Sequence, residues 1–419
     1  MSATAQRVTP GQRITLEAAL DGGIRAVYQP IVVLATGETV GYEALARGPA
    51  ESALESPGAL FARADREGLI GELDRACRLA AVRGAFAGGL RAPGALFVNV
   101  EPQVLGADPA IVARETREII GRDLVVFFEV TERALTLHPA ELIEAVEALR
   151  GAGFGVALDD LGADRRSLAL LPLLRPDIIK LDMSLIHGHP SRASGEVMNG
   201  ACAYAEATGA MIVAEGVENQ EHLLAAESLG ATLAQGWYFG RPGPLPAWPD
   251  VRGAAIPLGL AARSIPNSPV ELVHARRGLK VGRKDVLLSV SRALEAQAAE
   301  LGEHAIVIAN FQHARHFTPA TRARYEQLGR RAAFTAALGL GMPDPPADGV
   351  RGAGFDEHDP LVGEWDLVVL GPHFAGALVA RDLGDSGPDH QRRFEFVLTF
   401  DRDLVVDVAA ALISRVSRA

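Results

Sequence analysis

The sequence predicts a (β/α)8 barrel, TIM-like but with an antiparallel first strand, followed by a smaller C-terminal α/β domain. Three observations carry that reading. Eight short apolar runs alternate with helical patterns over about 240 residues, the signature of a closed barrel. The first two runs are joined only by Leu34-Ala-Thr-Gly-Glu38. That is too short for a parallel crossover, so the pair forms a hairpin. A Pro- and Gly-rich stretch, residues 241–269, then precedes a second set of helices and strands.

Taken in order, residues 1–15 are polar and expected to fray, and 16–22 form a short helix ending at Gly22-Gly23. The barrel strands are expected at 26–33, 39–46, 95–100, 125–130, 155–160, 178–182, 211–216 and 234–239. Most are near-continuous apolar runs, as in strands covered on both faces. Helices at 58–67, 72–86, 109–121, 139–151, 166–174, 191–208 and 219–229 fill the gaps. Pro109 and Pro139 suit first turns, and Gly121 and Gly151 suit ends. In the second domain, helices are expected at 284–301, 318–338 and 401–418. Thr318-Pro319 would start the second of these and Gly339 would follow its end. Strands are expected at 304–311, 365–371, 376–383 and 394–400, with a loop at 344–354. The resulting division is a barrel over 15–245, a linker over 246–264 and a second domain over 265–419.

Composition narrows the function. The chain is 48% hydrophobic and 22% charged, an ordinary soluble profile. A formal charge of −11 argues against a nucleic-acid partner. It leaves room for a small phosphorylated ligand, since bound metal can reverse a local field. Only Cys77 and Cys202 are present, so no disulfide framework and a reducing cytoplasm are expected. The sequence offers no signal-peptide pattern and no run long enough to span a membrane.

The polar residues fall at strand ends. Glu43 is late in the second strand, Asn99 ends the third, Glu129 the fourth, and Asp159 and Asp160 the fifth. Lys180 and Asp182 end the sixth, Glu215 the seventh, and Gln235 lies in the eighth. Carboxyl ends of barrel strands are where such folds build active sites. Carboxylates brought this close repel unless a cation neutralises them, and hard divalent ions prefer oxygen ligands. The plainer reading of any one residue is a satisfied strand-end polar group, and for Lys180 a salt bridge to Asp182. Repetition on strand after strand favours a site.

These residues also sit in recognisable words. Residues 43–45 read Glu-Ala-Leu, 97–100 Phe-Val-Asn-Val, 129–132 Glu-Val-Thr-Glu, and 159–160 Asp-Asp. Lys-Leu-Asp follows at 180–182, Ala-Glu-Gly-Val-Glu at 214–218 and Ala-Gln-Gly-Trp-Tyr-Phe at 234–239. Over roughly residues 15–245 the chain resembles the EAL-domain family of cyclic dimeric GMP phosphodiesterases. The resemblance implies two divalent ions, Mg2+ or Mn2+, that activate water and clamp the scissile phosphate, giving linear pGpG. Glu43, Asn99, Glu129 and Asp159 would hold one ion. Asp159 would bridge to the other, served by Asp160, Glu215 and Gln235. Lys180, Glu215 and Asp160 would be the catalytic set, with Lys180 a protonated donor that orients water. Gln29, Leu45, Arg47, Asp182 and Glu218 would contact the substrate, Glu132 would brace the loop after the fifth strand, and the barrel could pair as a homodimer.

One stretch departs from the family. Its usual Asp-Asp-Phe-Gly-Thr-Gly-Tyr-Ser-Ser-Leu reads here Asp-Asp-Leu-Gly-Ala-Asp-Arg-Arg-Ser-Leu at 159–168. Asp164 would then need a left-handed backbone at some cost. A non-catalytic cyclic dinucleotide receptor is the second reading that follows.

The second domain resembles the DICT sensory domain. The carrying stretches are Asn-Phe-Gln at 310–312, Phe-Thr-Pro at 317–319, Trp-Asp-Leu-Val-Val-Leu-Gly-Pro at 365–372 and Ala-Leu-Val-Ala-Arg-Asp-Leu at 377–383. This implies a regulatory role toward an unknown signal or protein partner. His313, His316, His358 and His373 are scattered and read as surface or loop residues.

Overall fold

A computed structural model describes residues 15–131, 139–164, 166–189, 191–247 and 251–416. Eight strands close a barrel: β1 (Arg25–Val33), β2 (Thr39–Arg47), β3 (Ala95–Asn99), β4 (Val125–Thr131), β5 (Gly155–Leu161), β6 (Ile178–Leu181), β7 (Met211–Ala214) and β8 (Leu233–Gln235). β1 is antiparallel to both β2 and β8, and every other barrel pair is parallel. The hairpin expected from the short Leu34–Glu38 connection is therefore present.

Strand alternation explains how the barrel fills. Inward side chains Ile31, Phe97, Phe127, Ala157, Ile178, Val213 and Leu233 form one buried cluster, with Phe97 and Phe127 stacked 5.0 Å apart. Two residues further along each strand, on the same face, stand Asn99, Glu129, Asp159, Lys180, Glu215 and Gln235. On antiparallel β1 the count runs backwards, and Gln29 faces Glu43 across the ladder. An apolar plug therefore lies directly beneath a polar layer.

Several boundaries differ from expectation. β7 stops at Ala214 and β8 at Gln235, so Glu215 and residues 236–239 are loop. Short helices Pro102–Ala107 and Met183–His187 follow β3 and β6, where only loop was expected. Thr15, expected to fray, instead caps the helix Leu16–Leu20 by accepting from Ala18 N.

The second domain is built on a seven-stranded sheet. Its order is β12 (Arg351–Ala353), β11 (Phe334–Leu340), β10 (Ile306–His313), β13 (Glu364–Leu370), β14 (Ala375–Asp382), β15 (Arg393–Thr399) and β9 (Lys280–Arg283). The helix expected over 318–338 is wrong in its second half. The helix Pro319–Gly329 ends there, and residues 334–340 form a strand parallel to β10. Ala- and Leu-rich runs carry no periodicity when both faces are buried, so pattern alone cannot separate helix from strand. β12 lies where a loop was expected, and β9 and the helix Pro269–Arg276 lie in a stretch for which no second-domain element was expected.

Residues 251–268, expected as connector, run along the barrel. Ile256 buries itself in the inward cluster, and Leu260 N donates to Asp177. The terminal helix Arg402–Ile413 packs its buried face between the second sheet and the barrel helices Pro139–Gly151 and Ser167–Leu174. Arg263 ties the three together. It pairs with Glu147 of a barrel helix at 3.1 Å and Asp407 of the terminal helix at 3.4 Å, and donates to Leu173 O at 2.9 Å.

Candidate functional site

The polar layer converges on one ammonium. Lys180, 1% exposed, places Nζ 2.7 Å from Glu215, 2.8 Å from Glu129, 2.9 Å from Asp159 and 3.4 Å from Glu43. The plainer alternative for Lys180, a salt bridge to Asp182, does not form among the described residues: Asp182 caps the helix Met183–His187, accepting from Ser184 N. Asn99 Nδ2 donates to Glu43 at 3.1 Å, and Gln235 Nε2 donates to Glu43 at 2.5 Å and to Gln29 at 3.1 Å. Asp160 joins through Asp159 and Glu215, whose carboxylate oxygens lie within 4.8 Å of its own.

Local backbone explains this placement. Asp160 adopts φ 57°, and the β5–β6 register shifts between Leu158 and Leu161. That irregularity turns two consecutive carboxylates toward the mouth where regular pleating would send one outward. Asp164 is not left-handed, contrary to expectation. Gly162 takes that role at φ 114°, and Asp164 accepts a turn bond from Arg166 N. At β8, a Cβ on Gly236 would fall 2.0 Å from Val217 O. Glycine there lets the loop carrying Glu215 cross the end of the strand carrying Gln235.

The electrostatics favour a cation-rich centre. Burial alone would lower the Lys180 pKa, but Asp159, Glu129, Glu215 and Glu43 hold it well above the usual lysine value. Burial raises Glu43, yet Lys180 and the bonds from Gln235 and Asn99 outweigh it and leave that carboxyl low. Glu129 is pushed well up by burial and then by Glu43. Burial raises Glu215 to about 8. Burial also raises Asp160, with Asp159 and Asp182 adding to it.

The donor set fits divalent metal. Glu129 Oε2 and Gln235 Oε1 are buried and meet no hydrogen-bond donor among the described residues. Orphaned oxygens are costly unless something positive faces them. A layer of carboxylate and amide oxygens suits hard ions such as Mg2+ or Mn2+.

Leu45 and Arg47 share the face of β2 that carries Glu43. The Arg47 guanidinium has no acidic ion-pair partner among the described residues and donates to Ala46 O. Glu218 stands apart, with His187 and His222. Glu132 lies outside the described residues. Sequence reasoning missed Asp74 and Arg78, which line a cavity of about 310 Å3 beside Glu43 and Asn99. Burial raises Asp74 to about 6, and it accepts from Glu101 N. An acid and a base four residues apart on the apolar face of a helix was the available signal.

The sequence matches known family models. Residues 13–242 match the EAL domain model. The chain belongs to the EAL-domain family. Residues 273–383 match the DICT model, a sensory domain in diguanylate cyclases and two-component systems. The chain is 34% identical over 244 residues to the cyclic di-GMP phosphodiesterase NbdA of Pseudomonas aeruginosa, covering 55% of this chain and 30% of that one. It is 33% identical over 237 residues to the cyclic di-GMP phosphodiesterase RocR of the same organism, covering 54% and 58%. The EAL match therefore spans well under two thirds of either relative. A solved calcium and cyclic di-GMP complex of Klebsiella pneumoniae BlrP1 is 30% identical, with TM-score 0.48, covering 57% of this chain and 58% of that one. No helix among the described residues is long and apolar enough to cross a membrane.

Proposed function

We propose that this chain is a metal-dependent phosphodiesterase that hydrolyses one phosphodiester of cyclic di-GMP to give linear pGpG. The observation that carries the reading is the Lys180 ammonium ringed by Glu43, Glu129, Asp159 and Glu215, with buried Glu129 Oε2 and Gln235 Oε1 unpartnered among the described residues. Glu43, Asn99, Glu129, Asp159, Asp160, Glu215 and Gln235 would hold two divalent ions, Mg2+ or Mn2+. Bound ions would supply activated water at neutral pH and neutralise charge on the phosphate.

The chain's own groups do the rest. Lys180 is buried and stays protonated, so it donates to water and orients it and does not act as the base. Arg47 suits a phosphate oxygen, because a planar fork matches phosphate geometry. The cavity beside Asn99 and Asp74 suits a base of the dinucleotide. Leu45, Gln29, Asp182 and Glu218 complete the proposed substrate contacts. The described C-terminal domain regulates this activity through its packing on the barrel helix that follows β5, and pairing of two barrels is part of the same reading.

The altered loop at 161–166 favours a second reading, a receptor that binds the dinucleotide without turnover. One experiment decides between them. Purified chain is given cyclic di-GMP with Mn2+ or Mg2+, beside Glu43→Ala, and product and binding are both followed. Turnover by the wild type and none by the variant supports the enzyme. Binding without turnover under either metal supports the receptor.

A further inference from the structure

The second sheet leaves space on the face away from the barrel. There the helices Lys284–Leu301 and Pro319–Gly329 pack over the sheet with Leu287, Leu294, Tyr325 and Leu328. Between them a cavity of about 320 Å3 remains open. That is the low end of ligand-pocket volumes, about 300–1,000 Å3. It suits one small molecule.

Its walls are of three kinds. Phe311, Trp365 and Phe394 supply aromatic surface, with Trp365 and Phe394 edge to face at 5.6 Å. Ser291 and Gln312 line the same space, 7% and 6% exposed, and neither side chain has a hydrogen-bond partner among the described residues. Gln312 is held there by a bulge. The β10–β11 register shifts between Asn310 and His313, and Gln312 adopts φ 65° with its N–H bound to Asn310 Oδ1. A non-glycine residue in that region is strained, and such strain is kept where a side chain must be aimed.

The charged groups do not cancel. Lys284 is matched by Asp389 at 2.6 Å and Arg324 by Glu295 at 3.0 Å. Arg292 and Arg315 line the cavity and have no acidic partner among the described residues. His316 donates from Nδ1 to Phe311 O, and burial lowers its pKa, so it adds no charge near neutral pH. Two guanidiniums are left facing an aromatic slot that also holds an unpartnered amide and hydroxyl.

We propose that this cavity is the ligand site of the second domain, and that it takes a small aromatic carboxylate. The ring lies against Phe311 and Trp365, the carboxylate on Arg292 and Arg315, and a polar ring substituent on Gln312 and Ser291. A neutral ring would leave the guanidiniums unmatched, and an acyl chain would bury Gln312 without a partner. The site is independent of the phosphodiesterase reading and stands or falls separately.

The test uses the full chain. Benzoate, 4-hydroxybenzoate and indole-3-carboxylate are titrated into the millimolar range, each beside its neutral amide, by calorimetry and by tryptophan fluorescence. Trp365→Phe identifies the responding ring. The expected result is saturable binding of at least one carboxylate. It should weaken about tenfold or more for the matching amide, and by as much in Arg292→Ala/Arg315→Ala. Those arginines are exposed, so that variant folds; Gln312→Asn, which tolerates a left-handed backbone, tests the amide's reach. No saturable binding by any of the three overturns the proposal. So does binding that the arginine variant leaves unchanged, or equal affinity for acid and amide.

Discussion

Lys180 Nζ lies 2.7 Å from Glu215 Oε1, and the same nitrogen reaches carboxylates delivered by β2, β4 and β5. One lysine thus serves as internal counter-ion for oxygens from four places around the barrel. Without it, those oxygens would face each other at close range with no counter-charge from the chain. The four carboxylates can therefore assemble on folding around a charge that the chain itself supplies.

Replacing Lys180 by Met should reveal that role. The carboxylates would lose their counter-ion, and breaking a buried charge network by removing one partner costs about 3–5 kcal/mol. The melting temperature of the variant in chelator should fall by several degrees below wild type. Added Mn2+ should recover much of the loss, because an ion can supply the missing charge. Equal melting of both proteins in chelator would show that Lys180 does not hold the layer together.

Much of this site was legible in the sequence because barrel chemistry is periodic. Asn99, Glu129 and Asp159 each stand two residues past Phe97, Phe127 and Ala157, so one face carries plug and then polar layer. What pattern could not give was convergence. Nothing local to Lys180 indicates that it pairs with four distant acids and leaves Asp182, two residues on, to cap a helix. Asp74 and Arg78 went unseen because a buried acid on a helix looks like a surface one until its neighbours are placed. The strand at 334–340 was read as helix because its faces are both apolar, and only pairing with β10 separates the two.

Arg263 should prove to be the clamp between the barrel and the second domain. Arg263→Ala removes its contacts to Asp407, Leu173 O and the Glu147 side chain. Glu147 keeps Arg150 and Arg175, and Asp407 keeps Arg276. The cost should therefore be modest, about 2 kcal/mol. A lower melting temperature and faster proteolysis within 251–268 are expected. Unchanged melting and cleavage would show that Arg263 is not the clamp.

Gly236 and Gly195 make a contrasting pair. A Cβ at Gly236 meets Val217 O at 2.0 Å, whereas at Gly195, within the helix Arg192–Thr208, it meets nothing within 4 Å. Gly236→Ala must push the loop after β7 away from β8, costing about 2–3 kcal/mol and loosening the Gln235–Glu43 bond. Gly195→Ala should stabilise by about 0.5–1 kcal/mol through helix propensity. Chemical denaturation of the two variants reads both signs, and a neutral Gly236→Ala would contradict the close crossing.

Glu364 should give the second domain a pH dependence of defined sign. Its carboxyl is buried, accepting from Ser268 Oγ and from Val270 N, and burial raises its pKa from 4.5 to about 7. Buried Asp366, two residues on, is pushed in the same direction by burial and by Glu364. A raised carboxyl pKa means that the folded state keeps a proton which the unfolded chain has lost. The associated stability is present below the unfolded value and falls as pH rises through that window toward about 7. A shift of that size corresponds to roughly 3 kcal/mol. Glu364→Gln cannot ionise, can accept from Val270 N with its amide oxygen, and can donate to Ser268. The stability difference between wild type and this variant should therefore move by roughly 3 kcal/mol in the variant's favour between acid and neutral pH. Denaturant unfolding of both proteins across that range measures it. Parallel curves would mean that Glu364 titrates alike in the folded and unfolded chain.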